Sequence, residues 1–315
     1  MTLIERAAKR LEELRRAGVE VPVRDSDVAG RNRDPHHQEP GDPLAQAPVL
    51  TRVEPAPQRG VSDSGAVAHP HRGYFELDLA RLAGLGFITP DMPRSRIADE
   101  FRVLKRPLLA NAFAKKAVPV KNGNLIMVTS AVPGEGKTFS AVNLAMSLAM
   151  ELDRTVLLVD ADVARPSLPA LLGLPSSRGL LDVLESSNVN LSHVLLRTNV
   201  DKLSILASGT PHSHATELLT SGTMTKLLEE MAVRYSDRII VFDSPPLLVT
   251  TEARVLATQM GQVVFVVHAE STLQSDVKRA LATIESCPIK MMVLNQARTV
   301  SQGAHGYGYG YGYGA

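Results

Sequence analysis

Eight consecutive residues in the middle of the chain combine glycines, a lysine and a threonine in an order suited to binding phosphate. They read Ala131-Val-Pro-Gly-Glu-Gly-Lys137-Thr138 and lie between an apolar run, 124–130, and a segment rich in Ala, Leu and Met. A strand, a glycine-rich loop and a helix in this order are the context that a nucleotide-binding P-loop requires. The residues that we predict to contact a nucleotide are Val132, Pro133, Gly134, Glu135, Gly136, Lys137, Thr138 and Phe139.

Within that loop the backbone and two side chains have separate tasks. The N–H groups from Gly134 to Thr138 should form an anion nest at the positive end of the following helix. Lys137 should neutralise charge on the β- and γ-phosphates, and the Thr138 hydroxyl should ligate Mg²⁺. Ala131 stands where the motif has its first glycine, and a chance glycine-rich turn is the alternative interpretation.

Carboxylates end two further apolar runs of the chain. VLLVDAD carries Asp160 and Asp162, and IIVFDSPP carries Asp243. In an open parallel sheet, ligands bind beyond the carboxyl ends of the strands, so these side chains should meet the metal and the γ-phosphate. Asp243 resembles a Walker B aspartate, and one of the other two can serve the metal while its neighbour faces the incoming hydroxyl or water. Capping of the next turn is the alternative for each.

Six apolar runs predict an α/β fold, a P-loop NTPase with a mainly parallel sheet flanked by helices. The runs are 124–130, 156–161, 203–207, 239–243, 262–268 and 290–294. Helical patterns cover 76–85, 95–117, 137–151, 216–235, 251–260 and 273–286. Because the runs are almost continuously apolar, we expect the sheet to be buried on both faces.

Charge and composition argue against several classes of protein. The chain has 34 Lys and Arg against 33 Asp and Glu, and a nucleic-acid-binding protein would show a basic excess. No apolar stretch approaches the roughly 20 residues of a membrane-spanning helix, and the charged N-terminus lacks the apolar centre of a signal peptide. The single cysteine, Cys287, suits a reducing compartment. We therefore expect a cytoplasmic protein.

The residues outside the predicted sheet divide into three segments. Residues 1–18 place apolar side chains at helical spacing among basic ones, which predicts an amphipathic helix that docks on protein or, alternatively, on a membrane surface. Residues 19–72 are rich in Pro, Asp, Arg, His and Gln without apolar periodicity, which predicts a disordered linker. The nucleotide-binding domain then spans 73–298, and 299–315 form a tail rich in Gly and Tyr.

The segments SAVPGEGKT, VLLVDADVARPSL and IIVFDSPPLL, together with the tyrosine-rich terminus, resemble the bacterial tyrosine kinases of exopolysaccharide systems. The resemblance covers about 95–315 and is strongest to the exosortase-associated tyrosine autokinases. It implies ATP and Mg²⁺ as cofactors. In that family the first aspartate of the second motif contacts Mg²⁺ and the second helps to activate the tyrosine hydroxyl. The implied catalytic residues are Lys137, Asp160 and Asp162, and the implied metal ligands are Thr138, Asp160 and Asp243.

Two positions depart from the pattern of that family. Its second motif runs Asp-x-Asp-x-Arg, but Ala164 takes the place of the arginine and Arg165 follows it. The family also has a helix with a Glu-x-x-Arg-x-x-Arg pattern that packs protomers into a ring, and here Asp99, Arg102 and Lys105 occupy those positions. Lysine lacks the planar, bidentate fork of arginine. The resemblance implies a homo-oligomer, in the family a ring, with these three residues at its interface.

Asn295 closes the last apolar run, in the sequence VLN. Its amide carries the donor and the acceptor that pair with the N6/N7 edge of adenine. We therefore count Asn295 among the candidate nucleotide-binding residues. An amide that caps the end of its own strand is the alternative, and the sequence leaves both open.

The tail alternates four tyrosines with glycines: Tyr307, Tyr309, Tyr311 and Tyr313. A glycine-rich segment would let each hydroxyl enter the active site of another protomer. Phosphorylation adds about −1.5 to −2 charges per tyrosine, so a modified tail should be repelled by the carboxylates and the nucleotide. We interpret these tyrosines as the phosphoacceptors of a cycle of docking and release; a passive tail is the alternative.

Two other functions are compatible with the same P-loop. A ParA/MinD-like ATPase switch uses water as its acceptor, but that class carries a second lysine near the start of its P-loop, where Val132 stands here. A nucleotide-binding adaptor of a polysaccharide co-polymerase would have no catalytic use for Lys137 and the three aspartates. The resemblance implies a membrane chain-length regulator as partner and a location at the inner membrane through that partner, whereas the charge balance predicts no nucleic-acid partner.

Overall fold

One mixed sheet organises the part of the chain that the computed structural model describes, residues 73–92, 94–113, 119–186, 188–235 and 237–297. Its strands are β1 (Tyr74–Phe75), β2 (Leu125–Ser130), β3 (Thr155–Asp160), β4 (Leu196–Thr198), β5 (Leu203–Leu206), β6 (Arg238–Asp243), β7 (Gln262–His268) and β8 (Ile289–Asn295). The expectations for residues 1–18, 19–72 and 299–315, including the four tail tyrosines, lie outside the described residues.

The strand order places the predicted phosphate loop near the centre of the sheet. The order is β1-β4-β5-β3-β6-β2-β7-β8, and neighbouring strands run parallel except for the antiparallel pair β4 and β5. Strand β2 therefore lies between β6 and β7, with β3 beyond β6. The mainly parallel sheet and the six predicted strands are confirmed, whereas the short strands β1 and β4 were not predicted.

Helices connect these strands and cover both faces of the sheet. They are α1 (Leu79–Gly84), α2 (Arg96–Phe113), α3 (Lys137–Ala149), α4 (Leu168–Leu172), α5 (Leu180–Glu185), α6 (Leu191–Val194), α7 (Ala215–Leu219), α8 (Gly222–Arg234), α9 (Thr251–Gln259) and α10 (Gln274–Ala282). No helix in the described ranges is long and apolar enough to cross a membrane.

Two hydrophobic clusters pack against opposite faces of the central strands because successive strand residues point to opposite sides. Ile126 and Val128 of β2 pack with α2 and α3 on one side. Met127 of β2 and Phe242 of β6 pack with α5, α8 and α9 on the other. Each fully buried side chain of this size contributes about 1.5–3 kcal/mol. The expectation of burial on both faces therefore holds for the central strands.

Strand β8 is the exception to that expectation. It forms one edge of the sheet, and its residues alternate between half-buried and exposed. Met292 and Leu294 are 54% and 64% exposed. An apolar groove of about 360 Å³ lies between β8 and α2, and it reaches Phe139 of α3 and Asn295 at the end of the strand.

Lys105 of α2 lies in the interior rather than at the surface. Its side chain is 6% exposed, and its ammonium is 2.7 Å from the Glu151 carboxylate and donates to the Ser147 carbonyl oxygen at 2.6 Å. These contacts fasten α2 to the end of α3. The Lys105 side chain therefore has little surface left to offer a neighbouring subunit, and its place at an interface stays a prediction. Asp99 and Arg102 do lie at the surface of α2, where they form an ion pair with each other.

Candidate active site

The phosphate loop connects β2 to α3 and depends on two glycines with left-handed backbone geometry. Gly134 has a φ of 84° and Gly136, the N-cap of α3, has a φ of 90°. Residues other than glycine reach this region only with strain. At Gly136 an added Cβ would also lie 2.0 Å from the Asn295 amide nitrogen. The glycine is therefore required both by its backbone angle and by the close approach of Asn295.

Glu135 fixes the shape of the loop from inside. Its side chain is buried, with one carboxylate oxygen accepting from the Val132 backbone N–H at 2.7 Å and the other from the Thr272 hydroxyl. Its own carbonyl oxygen accepts from the Asn295 side-chain amide at 2.9 Å. These contacts bind the loop to the ends of β7 and β8 and present its backbone as a rigid cradle. They also place the Asn295 amide against the loop.

We expect Gly136→Ala to weaken nucleotide binding sharply. The substitution adds backbone strain of about 1–3 kcal/mol and forces Asn295 off the loop, so the dissociation constant for an ATP analogue should rise at least tenfold by calorimetry. Gly134→Ala is a matched control within the same loop, since that glycine has a φ of 84° and nothing within 4 Å of the added Cβ. Equal losses in the two variants would show that strain alone, without the Asn295 contact, matters.

The segment after β6 is hydrogen-bonded to β2, the strand that leads into the phosphate loop. The Ser244 hydroxyl donates to the Val128 carbonyl oxygen at 2.8 Å, and the Thr129 hydroxyl donates to the Pro245 carbonyl oxygen at 2.8 Å. Asp243 ends β6 directly before this segment and is a register partner of Asp160 on β3. The two carboxylates therefore share the carboxyl edge of the sheet with the loop.

Asp160 and Asp243 are fully buried, and within the part of the chain that the structure describes none of their carboxylate oxygens makes a hydrogen bond of normal geometry, although the Ser208 and Thr138 hydroxyls act on them from nearby. Burial raises the pKa of Asp160 to about 8, and repulsion from Asp243 and Asp162 adds to the rise. Burial likewise raises the pKa of Asp243 to about 7, against the opposing effects of Thr138 and Lys137. A buried carboxylate without a partner is costly, so this pair is built for a cationic ligand.

Asp162 differs from this pair in being only half-buried. Burial raises its pKa, the positive charge of Lys137 opposes the rise, and Glu252 at the start of α9 adds to it. Its carbonyl oxygen accepts from the Arg165 backbone N–H at 3.1 Å, which turns the chain sharply after β3. A half-exposed carboxylate with a raised pKa is suited to accept a proton from an incoming group.

Lys137 and Thr138 open α3 on the side of these carboxylates. Lys137 is 8% exposed, and the Thr138 hydroxyl is 2.8 Å from the hydroxyl of Ser167. Ser167 lies beyond Arg165 in the segment that follows β3. It belongs to none of the motifs described above, and it was therefore not predicted as a site residue. The contact links a candidate metal ligand to the Asp160–Asp162 segment.

The residues at this edge are compatible with Mg²⁺. Among the described residues, no group of three or more His, Cys, Asp and Glu side chains could hold a metal ion by itself. Mg²⁺ in nucleotide sites uses one or two carboxylates together with phosphates and water. The buried, unpartnered oxygens of Asp160 and Asp243 and the nearby Thr138 hydroxyl supply that smaller set.

Phe139 takes a different place from the other predicted loop residues. Its ring packs on Phe87, with the ring centres 4.9 Å apart, and joins the core. Only its backbone belongs to the phosphate cradle. Two further contacts could not be predicted from the sequence: that of Glu135 with Thr272 and that of Ser167 with Thr138. Each of them joins residues that are distant in the chain.

The sequence of this chain is similar to those of known proteins. The ParA model, described as NUBPL iron-transfer P-loop NTPase, matches residues 121–305. Tyrosine-protein kinase CpsD of Streptococcus pneumoniae is 32% identical over 160 residues, which are 50% of this chain and 67% of CpsD. The chain belongs to the ParA family and to the bacterial tyrosine kinases. Tyrosine-protein kinase YwqD of Bacillus subtilis is 29% identical over 217 residues, 68% of this chain and 87% of YwqD.

Solved structures of bacterial tyrosine kinases share the fold. The kinase domain of Escherichia coli tyrosine kinase ETK superimposes with a TM-score of 0.59 at 26% identity, over 71% of this chain and 86% of that domain. Other tyrosine-kinase relatives are longer, and this chain spans only between 21% and 30% of their length. The region that the ParA model matches, 121–305, holds the phosphate loop, the three candidate aspartates and Asn295.

Proposed function

We propose that this chain is an ATP-dependent tyrosine autokinase that phosphorylates Tyr307, Tyr309, Tyr311 and Tyr313 on a second copy of itself. The proposal rests on one observation: a glycine-rich phosphate cradle lies at the same edge of the sheet as three carboxylates that differ in exposure. Two of these, Asp160 and Asp243, are buried without partners, whereas Asp162 is half-buried and reaches solvent. The site therefore has a metal side, formed by Asp160 and Asp243, and an acceptor side, formed by Asp162.

The phosphate side is formed by α3 and the loop before it. The backbone N–H groups between Gly134 and Thr138 hold the phosphates, and the Lys137 ammonium neutralises charge that accumulates on the transferred group. Thr138, Asp160 and Asp243 would hold Mg²⁺, which supplies charge neutralisation and alignment of the phosphate oxygens. The rigid contacts of Glu135 keep the cradle in shape before the nucleotide arrives.

The acceptor side is formed by Asp162. Its carboxylate accepts the proton of the tyrosine hydroxyl while the hydroxyl oxygen bonds to the γ-phosphorus. The bond from that phosphorus to the bridging oxygen breaks, and ADP leaves with the electron pair. The raised pKa of Asp162 makes this carboxylate a stronger base than an ordinary aspartate. We also infer that Oδ1 of Asn295 accepts from the adenine amino group, since its Nδ2 already donates to Glu135.

The proposal includes a setting for the reaction. The partner is a membrane chain-length regulator of exopolysaccharide synthesis, and the kinase lies in the cytoplasm at the inner membrane through this partner. Residues 1–18 and 19–72 serve as tether and linker, ahead of a kinase domain over 73–298 and a tail over 299–315. The proposal also includes a homo-oligomer in which α2, with Asp99 and Arg102 at its surface, lies at the interface.

Incubation with γ-labelled ATP tests the proposal. The kinase labels its own tail, a ParA/MinD-like switch releases labelled phosphate, and an adaptor does neither. Changing the four tail tyrosines to phenylalanine should remove at least nine-tenths of the phosphotyrosine signal. Tyr74→Phe with Tyr235→Phe is the matched control, because these are the remaining two of six tyrosines. An unchanged signal in the four-fold variant would contradict the tail as acceptor.

A further inference from the structure

A second groove opens beyond the carboxyl ends of β3 and β5. It has a volume of about 410 Å³, and its walls are the segment after Asp162 and residues 207–211. We call it the proline groove after Pro166, Pro169, Pro175 and Pro211, which line it together with Ser177 and Arg178. The phosphate site described above uses none of these side chains.

The proline groove lies directly beside the candidate acceptor carboxylates. Val159 and Leu206 are register partners on β3 and β5, so Ala207 follows β5 next to Asp160 at one strand spacing, about 4.8 Å. Pro166 comes directly after the turn in which Arg165 donates to Asp162. A peptide whose hydroxyl reaches Asp162 therefore has this groove as its neighbour.

One wall of the groove is held rigid by Asp182. Its carboxylate accepts from the Gly179 N–H at 2.8 Å, from the Thr210 N–H at 3.0 Å and from the Thr210 hydroxyl at 2.8 Å. Gly209 has a φ of 96°, and an added Cβ would lie 2.4 Å from Asp182. The wall formed by 207–211 is therefore preorganised, as a binding surface should be.

The chemistry of the groove suits an aromatic ring with a polar end. Proline rings offer flat apolar surface, and the exposed Arg178 guanidinium can stack on an aromatic face. The Ser177 hydroxyl oxygen is buried and makes no hydrogen bond to any residue that the structure describes, so it can pair with a phenol or a peptide group. Among the residues of this chain, tyrosine combines these properties.

We propose that the proline groove binds the tyrosine two residues away from the one being phosphorylated, on the tail of a second copy. In an extended peptide, residues i and i+2 point to the same side and lie about 6.6 Å apart. The tail repeats Tyr-Gly with this period. One tyrosine then reaches Asp162 while the next fills the groove, and the glycines between them pass the site without a side chain. This inference rests on the proposed function and names how that site recognises its acceptor.

The length of the tail permits this contact. The described chain ends at Ala297, and Tyr307 follows ten residues later, a reach of about 33 Å when extended. Strand β8 is five strand spacings from β5 in the sheet, about 24 Å. The tail is therefore long enough to span the carboxyl edge of a domain of this size from β8 to the groove.

The test measures transfer between two full-length chains. The kinase carries alanine at the four tail tyrosines, and the acceptor carries Lys137→Met so that it cannot label itself. One acceptor keeps only Tyr309 and has phenylalanine at the other three positions; its twin has alanine there. We expect the phenylalanine acceptor to have a KM about tenfold lower, as one aromatic contact can supply. The KM for ATP should be the same with both.

Variants of the groove then locate the effect. Arg178→Ala and Ser177→Phe in the kinase should bring the two acceptors to within about twofold of each other, whereas Lys278→Ala on α10 should keep the tenfold ratio. Equal KM values for the two acceptors, measured with the kinase whose groove is intact, would overturn the proposed role of the groove but not the proposed function. A tenfold ratio of KM values that persists in both groove variants would also overturn the proposed role of the groove. No transfer to either acceptor would overturn the proposed function and this inference together.

Discussion

Replacing Lys137 with methionine should reduce phosphotyrosine formation at least a thousandfold. The lysine opens α3 at the phosphate cradle and is 8% exposed, so its charge acts in a site from which most water is excluded. Removing one preorganised donor from such a site typically costs about 10²–10³ in rate, and here a full positive charge is removed as well. Mapping of phosphotyrosines by mass spectrometry, with label transfer from γ-labelled ATP, measures the loss.

Lys121→Met is the matched control for that experiment. Lys121 is exposed and lies before β2, away from the phosphate loop, so its substitution should leave label transfer within about twofold. Both proteins should melt within a few degrees of the wild type. Autophosphorylation that survives in Lys137→Met at more than one-tenth of the wild-type rate would refute the role we assign to the lysine.

The phosphate loop and the central strands were predictable because their signals are local. Gly134 and Gly136 are required by backbone angles within the loop, and continuous apolar runs report burial of β2, β3, β6 and β7 without knowledge of their neighbours. Strand ends then placed Asp160 and Asp243 together, since parallel strands share one carboxyl edge. That inference needed only the fold class.

The sequence was less informative where a residue's surroundings depend on a partner far away in the chain. The family resemblance suggested an interface position for Lys105, but it gave no sign that Ser147 of α3 and Glu151 just beyond that helix hold the side chain inside. Strands β1 and β4 have two and three residues, too few for periodicity to register, and they exist because they pair with each other and with β5.

The network behind the phosphate loop shows the same limit. Glu135 was predicted to contact nucleotide through the loop, and nothing in the local sequence indicated that its carboxylate is buried against Thr272. Ser167 and Asn295 likewise meet Thr138 and Glu135 only after the sheet has assembled. The identity of a site residue can be local while its orientation is set by tertiary contacts.

Removing the metal and nucleotide should make stability fall as the pH rises. The folded-state pKa values of about 8 for Asp160 and about 7 for Asp243 lie above their ordinary value of 3.8. A carboxyl with a raised pKa binds a proton in the folded state that the unfolded chain has released, so stability is fullest below pH 4 for these groups and is lost up to pH 8. With EDTA present, the free energy of unfolding should drop by on the order of 6 kcal/mol between pH 5 and pH 8, which is roughly 15 °C in Tm.

Asparagine variants separate this effect from other titrations. Asp160→Asn and Asp243→Asn should each flatten the decline of Tm with pH in EDTA, because the charge that opposes folding is gone. Asp201→Asn, at an exposed position, should retain the wild-type slope. The same two site variants should lose at least a hundredfold in label transfer, since a neutral amide is a poor ligand for Mg²⁺.

Adding Mg²⁺ with ADP should reverse the decline of Tm with rising pH. This reversal is the decisive part of the experiment. Ligation requires ionised carboxylates, so the rise in Tm on adding Mg²⁺ and ADP should be larger at pH 8 than at pH 6. In Asp243→Asn the rise should shrink and lose its dependence on pH. A wild-type rise that is equal at both pH values would mean that the buried pair does not hold the metal, and the division into a metal side and an acceptor side would then fail.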